Sequence, residues 1–418
     1  MEPTCPSVAE VALRRGRKKR PAIRAAALVG RKYIHLLEAY LADLRQCYVH
    51  PNRVLHYDDV VVVYLLAFFN TAVRSLRCIE DASQLPGVGR HLSVEAVCKS
   101  TLSEANALFD PVHLEGLIAR LRQDLPDLGR QHPDLQALLE QVQLVDGSFF
   151  RLAGDVAWAF QSCRVNGKPL GSVRLNCQWS LQTGVPSGIS VSGDDGLGEG
   201  TAAMAFLEPD QIYIFDSGVV SFRYLQALLA CPAHLVCALH AHVNFDATAS
   251  RPLSPQDQEA GVLSDTLGHL GGSNKYVPPG ALLREVKVQY TDRQGKLRTL
   301  RLLTDLRDLP AHLIAALYRY RWQIELFFRW LKVSANFRHL TSHSRNGVTL
   351  SFHIAVIACL LTALHTQQSL STYSHMLLGF VAAGQADLED ILPILQRRER
   401  TRQRDRARQA ARRAAKKN

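Results

Sequence analysis

The stretch LYRYRWQIELFFRWLKV, residues 317–333, contains neither Gly nor Pro and is predicted to form a single helix. Four polar residues stand in it at short intervals: Tyr318, Arg321, Glu325 and Lys332. At about 100° per residue, their side chains fall within an arc of roughly 60°. One side of the helix therefore carries a phenol, a guanidinium, a carboxylate and an ammonium group.

Taken alone, this helix has two interpretations. Arg321 and Glu325 stand at positions i and i+4, where a surface ion pair is common and worth only a few tenths of a kcal/mol. Alternatively, the four residues belong to a functional site. A second stripe, formed by Leu317, Ile324 and Leu331, repeats every seven residues and is predicted to pack on a core. Both interpretations fit the helix, so the remainder of the chain has to distinguish them.

Length, composition and charge limit the possible classes of protein. The chain has 418 residues, of which 47% are hydrophobic and 21% charged, as in soluble globular proteins with two or more domains. The net charge of +11 is concentrated at the two ends. Residues 1–32 carry nine Lys or Arg against two acids, and residues 396–418 carry eleven against two. Such arms are typical of nucleic-acid-binding proteins, although a merely solvated tail has the same composition.

Cysteine spacing and hydropathy give expectations about the compartment. The nine cysteines include no CxxC pair, and no signal peptide is recognised, which favours a reducing cytoplasm. The apolar run VVVVYLLAFF at 60–69 is shorter than the roughly 18 residues that a membrane-spanning helix needs. We therefore expect no membrane partner.

The first 140 residues are predicted to be mostly helical. Helices are expected at 25–47 and 57–77, a loop at 85–90, and short helices over 93–125. Thr101 or Ser103 is a candidate N-cap, and Asp110 is another because Pro111 follows it. The short helices can form either a helix-turn-helix or a helical packing domain without DNA contact.

From residue 141 the pattern changes to strands alternating with short helices. Strands are predicted at 141–152, 172–183, 188–193, 211–218 and 234–240, and helices at 201–207 and 221–230. Residues 244–280 are rich in Gly, Pro, Ser and Asp and are predicted to be irregular, whereas 282–306 form a hairpin. An apolar helix is expected at about 349–366. Residues 371–418 are predicted to be a weakly structured C-terminal region with the polybasic tail.

Two acids follow apolar strands. Asp146 comes after QVQLV, and Asp216 comes after QIYIF. In a sheet with the strand order 3-2-1-4 these two strands are neighbours, so the two carboxylates are expected within a few ångströms of each other. Close carboxylates are unfavourable unless a proton or a cation neutralises them. Oxygen ligands of this kind suit Mg²⁺, and Glu325 can supply a third carboxylate.

Three carboxylates of this kind suggest phosphoryl-transfer chemistry. A site with two metal ions stabilises both the attacking and the leaving oxygen of an in-line displacement at phosphorus. Arg321 and Lys332 can bind phosphate groups, Arg by two-point contact and Lys as a point charge. Tyr318 can donate a hydrogen bond to a phosphate oxygen.

These motifs resemble those of the bacterial insertion-sequence transposases that have a ribonuclease H-like core and a DDE triad. The segments LVDGSFF and IFDSGVV are similar to the two aspartate motifs of that family. The spacing of Tyr318, Arg321, Glu325 and Lys332 is similar to the Y-(2)-R-(3)-E-(6)-K signature of the insertion-sequence-four group. The resemblance covers roughly residues 95–366.

The resemblance implies an α/β fold: a ribonuclease H-like mixed sheet flanked by helices, with a strand-rich insertion and a helical N-terminal domain. It implies cut-and-paste transposition with Asp146, Asp216 and Glu325 as catalytic metal ligands, two Mg²⁺ or Mn²⁺ ions, and Tyr318, Arg321 and Lys332 on DNA. The implied partners are double-stranded DNA with terminal inverted repeats, target DNA and a second copy of the chain in a homodimer. The implied location is the bacterial cytoplasm, at the nucleoid.

The domain organisation expected from these patterns has six parts. They are a basic disordered arm (1–24), a helical DNA-binding region (25–140), the first part of the ribonuclease H-like core (141–233), a strand-rich insertion (234–306), the second part of the core (307–370) and the C-terminal region (371–418).

One departure from the family concerns the DNA hairpin intermediate. Studied relatives stack a flipped base on a Trp of the insertion, but no Trp lies within 217–321 here. Tyr276 and Tyr290 are the alternative aromatic candidates. A hairpin intermediate is therefore a weaker expectation than metal-dependent cleavage. Two other functions remain open: a DNA-binding relative that no longer cuts and represses transposition, and a nuclease without strand transfer.

Overall fold

The structure is a computed structural model that describes residues 37–46, 54–69, 75–84, 96–126, 128, 134–152, 156–165, 168–194, 197–272, 277–292, 294–333, 340–368, 373–374, 376–377, 380 and 386–415. The predicted arm at 1–24 and the predicted loop at 85–90 lie outside these residues. Within them the chain has the predicted α/β fold, with one large mixed sheet flanked by helices.

The described strands form a single ten-stranded sheet. They are Val142–Arg151 (β1), Phe160–Val165 (β2), Lys168–Ser180 (β3), Val185–Ser192 (β4), Ile212–Phe215 (β5), His234–Ala238 (β6), Phe245–Ser250 (β7), Val262–Leu270 (β8), Leu283–Thr291 (β9) and Leu297–Thr304 (β10). Their order is β2-β3-β1-β5-β6-β10-β9-β8-β7, and β4 pairs with β3 along the edge opposite β1.

The described helices pack around this sheet. They are Glu38–Gln46 (α1), Tyr57–Phe69 (α2), Leu76–Ser83 (α3), Lys99–Leu108 (α4), Glu115–Gln123 (α5), Gln136–Leu139 (α6), Glu199–Ala203 (α7), Phe222–Ala230 (α8), Pro255–Glu259 (α9), Ala311–Arg319 (α10), Trp322–Val333 (α11), Arg345–Thr366 (α12) and Leu388–Ala415 (α13). Short 3₁₀ helices precede α5 at Pro111–Leu114 and follow α7 at Met204–Phe206.

Strand direction is mixed in the way that positions the two aspartates. β1, β5 and β6 are parallel neighbours, and β3 and β10 flank them in the antiparallel sense. The run β4-β3-β1-β5 is the expected 3-2-1-4 order. Parallel neighbours need a crossover connection, and α8 supplies it between β5 and β6.

Apolar side chains on the central strands alternate between two cores, one on each face of the sheet. Leu144 and Ile214 are fully buried in the larger core, which includes α12. Val145 and Phe215 point to the smaller core, which includes Leu225 of α8. A strand that is buried on both faces reads as a continuous apolar run, as QIYIF does.

Helix α12 is the central helix of the larger core. Its Ser344 N-cap accepts a hydrogen bond from the backbone N–H of Gly347 at 3.1 Å. The segment Arg345–Leu364 is long and apolar enough to cross a membrane by length and composition, but 89% of it is buried inside the protein. Packing against α2, α4 and α5 accounts for that apolar surface.

The predicted single helix at 317–333 is wrong, because the structure has two helices, α10 and α11. At the junction the backbone N–H groups of Tyr320, Arg321 and Gln323 bond to carbonyls three residues back, at 3.0, 3.1 and 2.9 Å. This 3₁₀ spacing tightens the chain and interrupts the α-helix. Tyr318 therefore lies on the helix before the one that carries Glu325 and Lys332.

Three further predictions concern the helical first part of the chain. Two of them are wrong and one is confirmed. The helix predicted at 57–77 ends at Phe69 as α2, and α3 begins after its own N-cap, Ser75. The capping role of Thr101 or Ser103 is wrong, because α4 begins at Lys99. The Asp110 cap is confirmed, since its carboxylate accepts from the backbone N–H of Val112 at 3.0 Å.

The irregular segment predicted at 244–280 is also wrong for most of its length. It contains β7, α9 and β8, and β8 pairs with β9 of the confirmed hairpin. Through β10 these strands extend the central sheet, since Leu303 of β10 pairs with Cys237 of β6. The boundaries of the predicted insertion remain a prediction.

The C-terminal region is not weakly structured where the structure describes its last part. Residues 388–415 form α13, a 28-residue helix. Ile391 and Leu395 in its first turns are buried in the larger core. The polybasic sequence thus continues a helix whose beginning is anchored.

Candidate active site

The parallel pairing of β1 and β5 places two carboxylates side by side. The last paired residues are Val145 and Phe215, so Asp146 and Asp216 come next on adjacent strands. Asp146 lies within the strand predicted at 141–152, which β1 confirms. β1 continues to Arg151 because its other edge stays paired with β3.

Helix α11 brings the third acid to the same edge. The guanidinium of Arg321 lies 2.5 Å from an oxygen of Glu325, 3.9 Å from Asp146 and 4.0 Å from Asp216. The three predicted carboxylates therefore surround one cation. The Arg321–Glu325 pair is not the isolated surface pair that the helix alone allowed.

Backbone donors fix the two aspartates. One oxygen of Asp146 accepts from the N–H of Gly147 at 2.8 Å. One oxygen of Asp216 accepts from the N–H groups of Gly218 and Val219, at 2.8 and 3.3 Å. In both residues the second oxygen is the one nearest Arg321.

Burial and like charge act on Asp146 in the same direction. Burial, followed by the negative charge of Asp216, raises the pKa of Asp146 from 3.8 to about 7. The N–H of Gly147 and the charge of Arg321 oppose this shift and do not cancel it. Asp146 thus has an unusually high proton affinity, as expected where carboxylates crowd without a metal ion.

Tyr318 and Lys332 lie at the same edge of the sheet without contacting the carboxylates directly. The ring centroid of Tyr318 is 5.8 Å from the Arg321 guanidinium. Burial raises the pKa of Tyr318 to about 12. The Lys332 ammonium donates a hydrogen bond to Ser148 Oγ at 2.6 Å. Burial lowers the pKa of Lys332, while the charge of Asp146 opposes the shift.

A cleft of about 760 Å³ opens between β1 and α11. Asp146 and Glu325 line it together with cationic and aromatic side chains: Phe149, Phe150, Arg151, Phe328, Arg329 and Lys332. Phe149 is half-exposed, and Phe150 and Phe328 are buried. Positive charge and aromatic rings beside carboxylates suit a ligand that carries both phosphate groups and bases.

A fourth carboxylate, which was not predicted from the sequence, lies at this edge. Glu199, the first residue of α7, pairs with Arg174 at 3.7 Å. Burial raises the pKa of Glu199, Arg174 lowers it, and the charge of Asp216 raises it further. A possible signal was an acid at the start of the helix between two core strands. Its proximity to the aspartates is set by tertiary packing.

Asp146→Asn should stabilise the metal-free protein more at pH 8 than at pH 5. The folded-state pKa of Asp146, about 7, exceeds the ordinary aspartate pKa of 3.8. The carboxyl group's stabilising effect is therefore complete below about pH 3.8 and is lost as the pH rises through 7. The advantage of Asn should grow by on the order of 2 kcal/mol between the two pH values.

Urea denaturation with a chelator present, at both pH values, measures this difference. Asp194→Asn, at an exposed acid, is the matched control and should show no such growth. An advantage of Asp146→Asn that stays constant with pH would contradict the buried, crowded charge.

The donor set at this edge fits a divalent cation. Carboxylate oxygens are the ligands that Mg²⁺ and Mn²⁺ prefer, and a guanidinium already stands among them. The Nε atom of Arg321 is buried and has no hydrogen-bond partner among the described residues. In the same described part of the chain, no three His, Cys, Asp or Glu side chains are close enough to hold an ion as they stand. Arg321 thus occupies the space between the carboxylates that would hold an ion.

Comparison with known families identifies the family of this chain. A family model described as the transposase DDE domain matches residues 138–361, more than half of the chain. The chain belongs to this transposase family. The matched region contains both aspartate motifs and the α10–α11 pair.

Individual relatives cover smaller shares of the chain. The y4zB protein of Sinorhizobium fredii (strain NBRC 101917 / NGR234), assigned as a transposase, is 25% identical over 221 residues, which are 52% of this chain and 58% of y4zB. A protein of Geobacillus stearothermophilus, assigned as the transposase of insertion sequence element IS5377, is 36% identical over 74 residues, 18% of this chain and 19% of its own. This chain thus spans little more than half the length of the first relative.

Among solved structures, a piggyBac transposase synaptic complex with hairpin DNA is similar to this chain. The TM-score is 0.40 at 12% sequence identity, over 89% of this chain and 76% of that chain.

Proposed function

We propose that this chain is a DNA transposase that catalyses cut-and-paste transposition of a bacterial insertion sequence of the insertion-sequence-four group. The observation that carries the proposal is the convergence of Asp146, Asp216 and Glu325 around one cation at a sheet edge. These residues lie in the segment that matches the transposase DDE domain. The substrate would be double-stranded DNA with terminal inverted repeats.

In this proposal Asp146, Asp216 and Glu325 hold the divalent cations, two Mg²⁺ or Mn²⁺ ions. When bound, such ions neutralise charge on the phosphodiester and lower the pKa of an attacking water or 3′-OH. Asp146 would have to be ionised to hold such an ion, because a ligating carboxylate must be deprotonated. The backbone N–H groups that bond to the two aspartates keep their second oxygens directed toward the centre.

The cationic residues and the phenol at this edge would hold the DNA backbone. Arg321 can make a two-point contact with a phosphate once it leaves the carboxylates. Lys332, bonded to Ser148 in the cleft, can bind a second phosphate as a point charge. Tyr318, with a pKa of about 12, stays protonated at neutral pH and can donate a hydrogen bond.

Assembly and the later steps belong to the same proposal. A homodimer would hold the two element ends, and the freed 3′-OH would attack the opposite strand to form a hairpin before integration into target DNA. Tyr290 is 46% exposed on β9 and remains a candidate to receive a flipped base. Tyr276 lies outside the described residues.

The decisive experiment is cleavage of labelled duplexes that end in the inverted repeats flanking the reading frame. We expect Mg²⁺-dependent cleavage at the repeat ends, followed by joining of pre-cut ends to a target plasmid. Binding of the repeats without cleavage in Mg²⁺ or Mn²⁺ would identify a repressor instead. Cleavage without joining would identify a nuclease.

Removing the polybasic tail, residues 396–418, should flatten the salt dependence of DNA binding. Each phosphate contact that is lost reduces the slope of log K against log salt by about 0.9. Fluorescence anisotropy from 50 to 300 mM KCl is a suitable measurement. A second variant, with Arg402, Arg404, Arg406 and Arg408 changed to Gln, keeps the length of the helix while removing charge. An unchanged slope in both variants would show that the tail does not contact DNA.

A further inference from the structure

Glu199 is the first residue of α7, and its carboxylate lies close to Asp146 and Asp216. This short helix packs against β1, β3 and α8, and Gly198 is its N-cap residue. The Glu199 side chain is 19% exposed, similar to Asp146 at 15%. Glu199 is therefore part of the same half-buried surface, although it comes from a different element.

Two glycines leave the space that the Glu199 carboxylate occupies. A Cβ on Gly147, directly after Asp146, would lie 2.8 Å from Glu199 Oε1, closer than real Cβ contacts. A Cβ on Gly218, two residues after Asp216, would lie 3.2 Å from Asp216 Oδ1 and 3.8 Å from Glu199 Oε2. The Glu199 carboxylate thus reaches both aspartate-bearing segments at once, one with each oxygen.

A network of buried polar groups positions the guanidinium of Arg174 beside Glu199. Arg174 Nε lies 3.7 Å from Glu199 Oε1 and donates to Asn176 Oδ1 at 2.9 Å. Its Nη2 donates to the carbonyl of Leu197, at the base of α7. Asn176 in turn donates to Ser192 Oγ at 2.7 Å. Arg174 therefore holds the loop before α7 and the Glu199 carboxylate in one place.

Four carboxylates lie close together at this edge of the sheet. The four carboxylates of Asp146, Asp216, Glu325 and Glu199 face the cationic groups of Arg321, Arg174 and Lys332. Like-charged carboxylates at short range favour binding of a cation, because it removes their mutual repulsion. If Arg321 withdraws, the carboxylates of Asp146, Asp216 and Glu325 lose the cation that lies between them.

We propose that Glu199 is a fourth carboxylate of the metal centre, and that it helps to hold the divalent cation at Asp146 and Asp216. The inference rests on the proposed function, since it assumes a metal at this edge. Arg174 is a positioning residue in this scheme, because it holds the Glu199 carboxylate against the two glycines. The competing interpretation is that the Glu199–Arg174 pair only anchors α7.

The test is Mn²⁺ binding to the purified full-length protein without DNA, followed by the electron paramagnetic resonance signal of free Mn²⁺. Glu199→Gln keeps the size of the side chain and removes its charge. We expect it to raise the dissociation constant for Mn²⁺ by about tenfold or more. Glu208→Gln, at an exposed acid nine residues further on, is the matched control and should bind Mn²⁺ as the wild type does.

The outcomes separate this inference from the proposed function. If Glu199→Gln binds Mn²⁺ with wild-type affinity while Glu325→Gln does not, Glu199 only anchors α7 and the inference is overturned. If neither variant nor the wild type binds Mn²⁺, both the inference and the metal-dependent function are overturned. Circular dichroism checks folding; if Glu199→Gln does not fold, Glu199→Asp replaces it. That variant keeps the charge on a shorter side chain and should also weaken Mn²⁺ binding.

Discussion

Glu325→Gln is expected to reduce Mg²⁺-dependent cleavage of terminal-repeat DNA by about 10³-fold or more, while DNA binding is largely kept. Loss of one metal-ligating carboxylate removes several kcal/mol of transition-state stabilisation, and each 1.36 kcal/mol is about a factor of ten in rate. Gln has nearly the same size as Glu, so α11 keeps its packing. The measurement is a single-turnover cleavage rate with enzyme in excess over DNA.

Three comparisons make this result specific. Glu208→Gln, far along the chain and exposed, should cleave at the wild-type rate. Fluorescence anisotropy should show that Glu325→Gln still binds the terminal repeat. Because Glu325 also pairs with Arg321, the thermal unfolding of the Glu325→Gln protein should be recorded as well. A folded Glu325→Gln protein that cuts as fast as the wild type would remove Glu325 from the proposed catalytic set.

Arg284→Ala is expected to destabilise the fold by about 3–5 kcal/mol. Arg284 is 1% exposed and makes two hydrogen bonds to the carboxylate of Asp265, at 2.8 and 2.7 Å. Its Nη1 also donates to the carbonyls of Leu306 and Leu309, at 3.0 and 2.5 Å. Truncation leaves a buried carboxylate and these carbonyls without their main donor.

Urea denaturation at neutral pH measures this effect. Arg298→Ala is the matched control: its pair with Asp292 is at 3.0 Å, but the Arg298 side chain is 50% exposed. Exposed pairs are worth about 0–1 kcal/mol, so the unfolding midpoint should barely move. Equal effects of the two variants would contradict the interpretation that Arg284 is a buried residue whose hydrogen bonds connect β9 to β8 and to the segment before α10.

Much of the catalytic edge could be predicted because its determinants are local in sequence. Asp216 follows QIYIF directly, and a four-residue apolar run followed by an acid indicates a buried strand that ends at a sheet edge. The hairpin at 282–306 was equally predictable, because both strands alternate around a turn containing Gly295. Each of these signals lies in one contiguous segment of the sequence.

The remainder depends on contacts between distant parts of the chain. The sequences of β7 and β8 are too polar to predict strands by themselves. They form strands because β8 pairs with the edge of β9, and β7 pairs with the edge of β8. The break between α10 and α11 contains no Gly or Pro that would predict it. The guanidinium of Arg321, at that break, lies within 4.0 Å of three carboxylates that come from other parts of the fold or from α11. Glu199 was missed for the same reason, since only tertiary packing brings α7 behind β1.

The position of Arg321 among three carboxylates has a thermodynamic consequence for the order in which ligands bind. In the absence of other ligands, a metal ion competes with an internal counter-ion, so metal affinity is lower than the carboxylates alone would give. A phosphate that attracts Arg321 removes this competitor. Metal and DNA binding should then be positively coupled, and by linkage the coupling is the same in both directions. Metal affinity measured with terminal-repeat DNA present should therefore exceed the affinity measured without DNA.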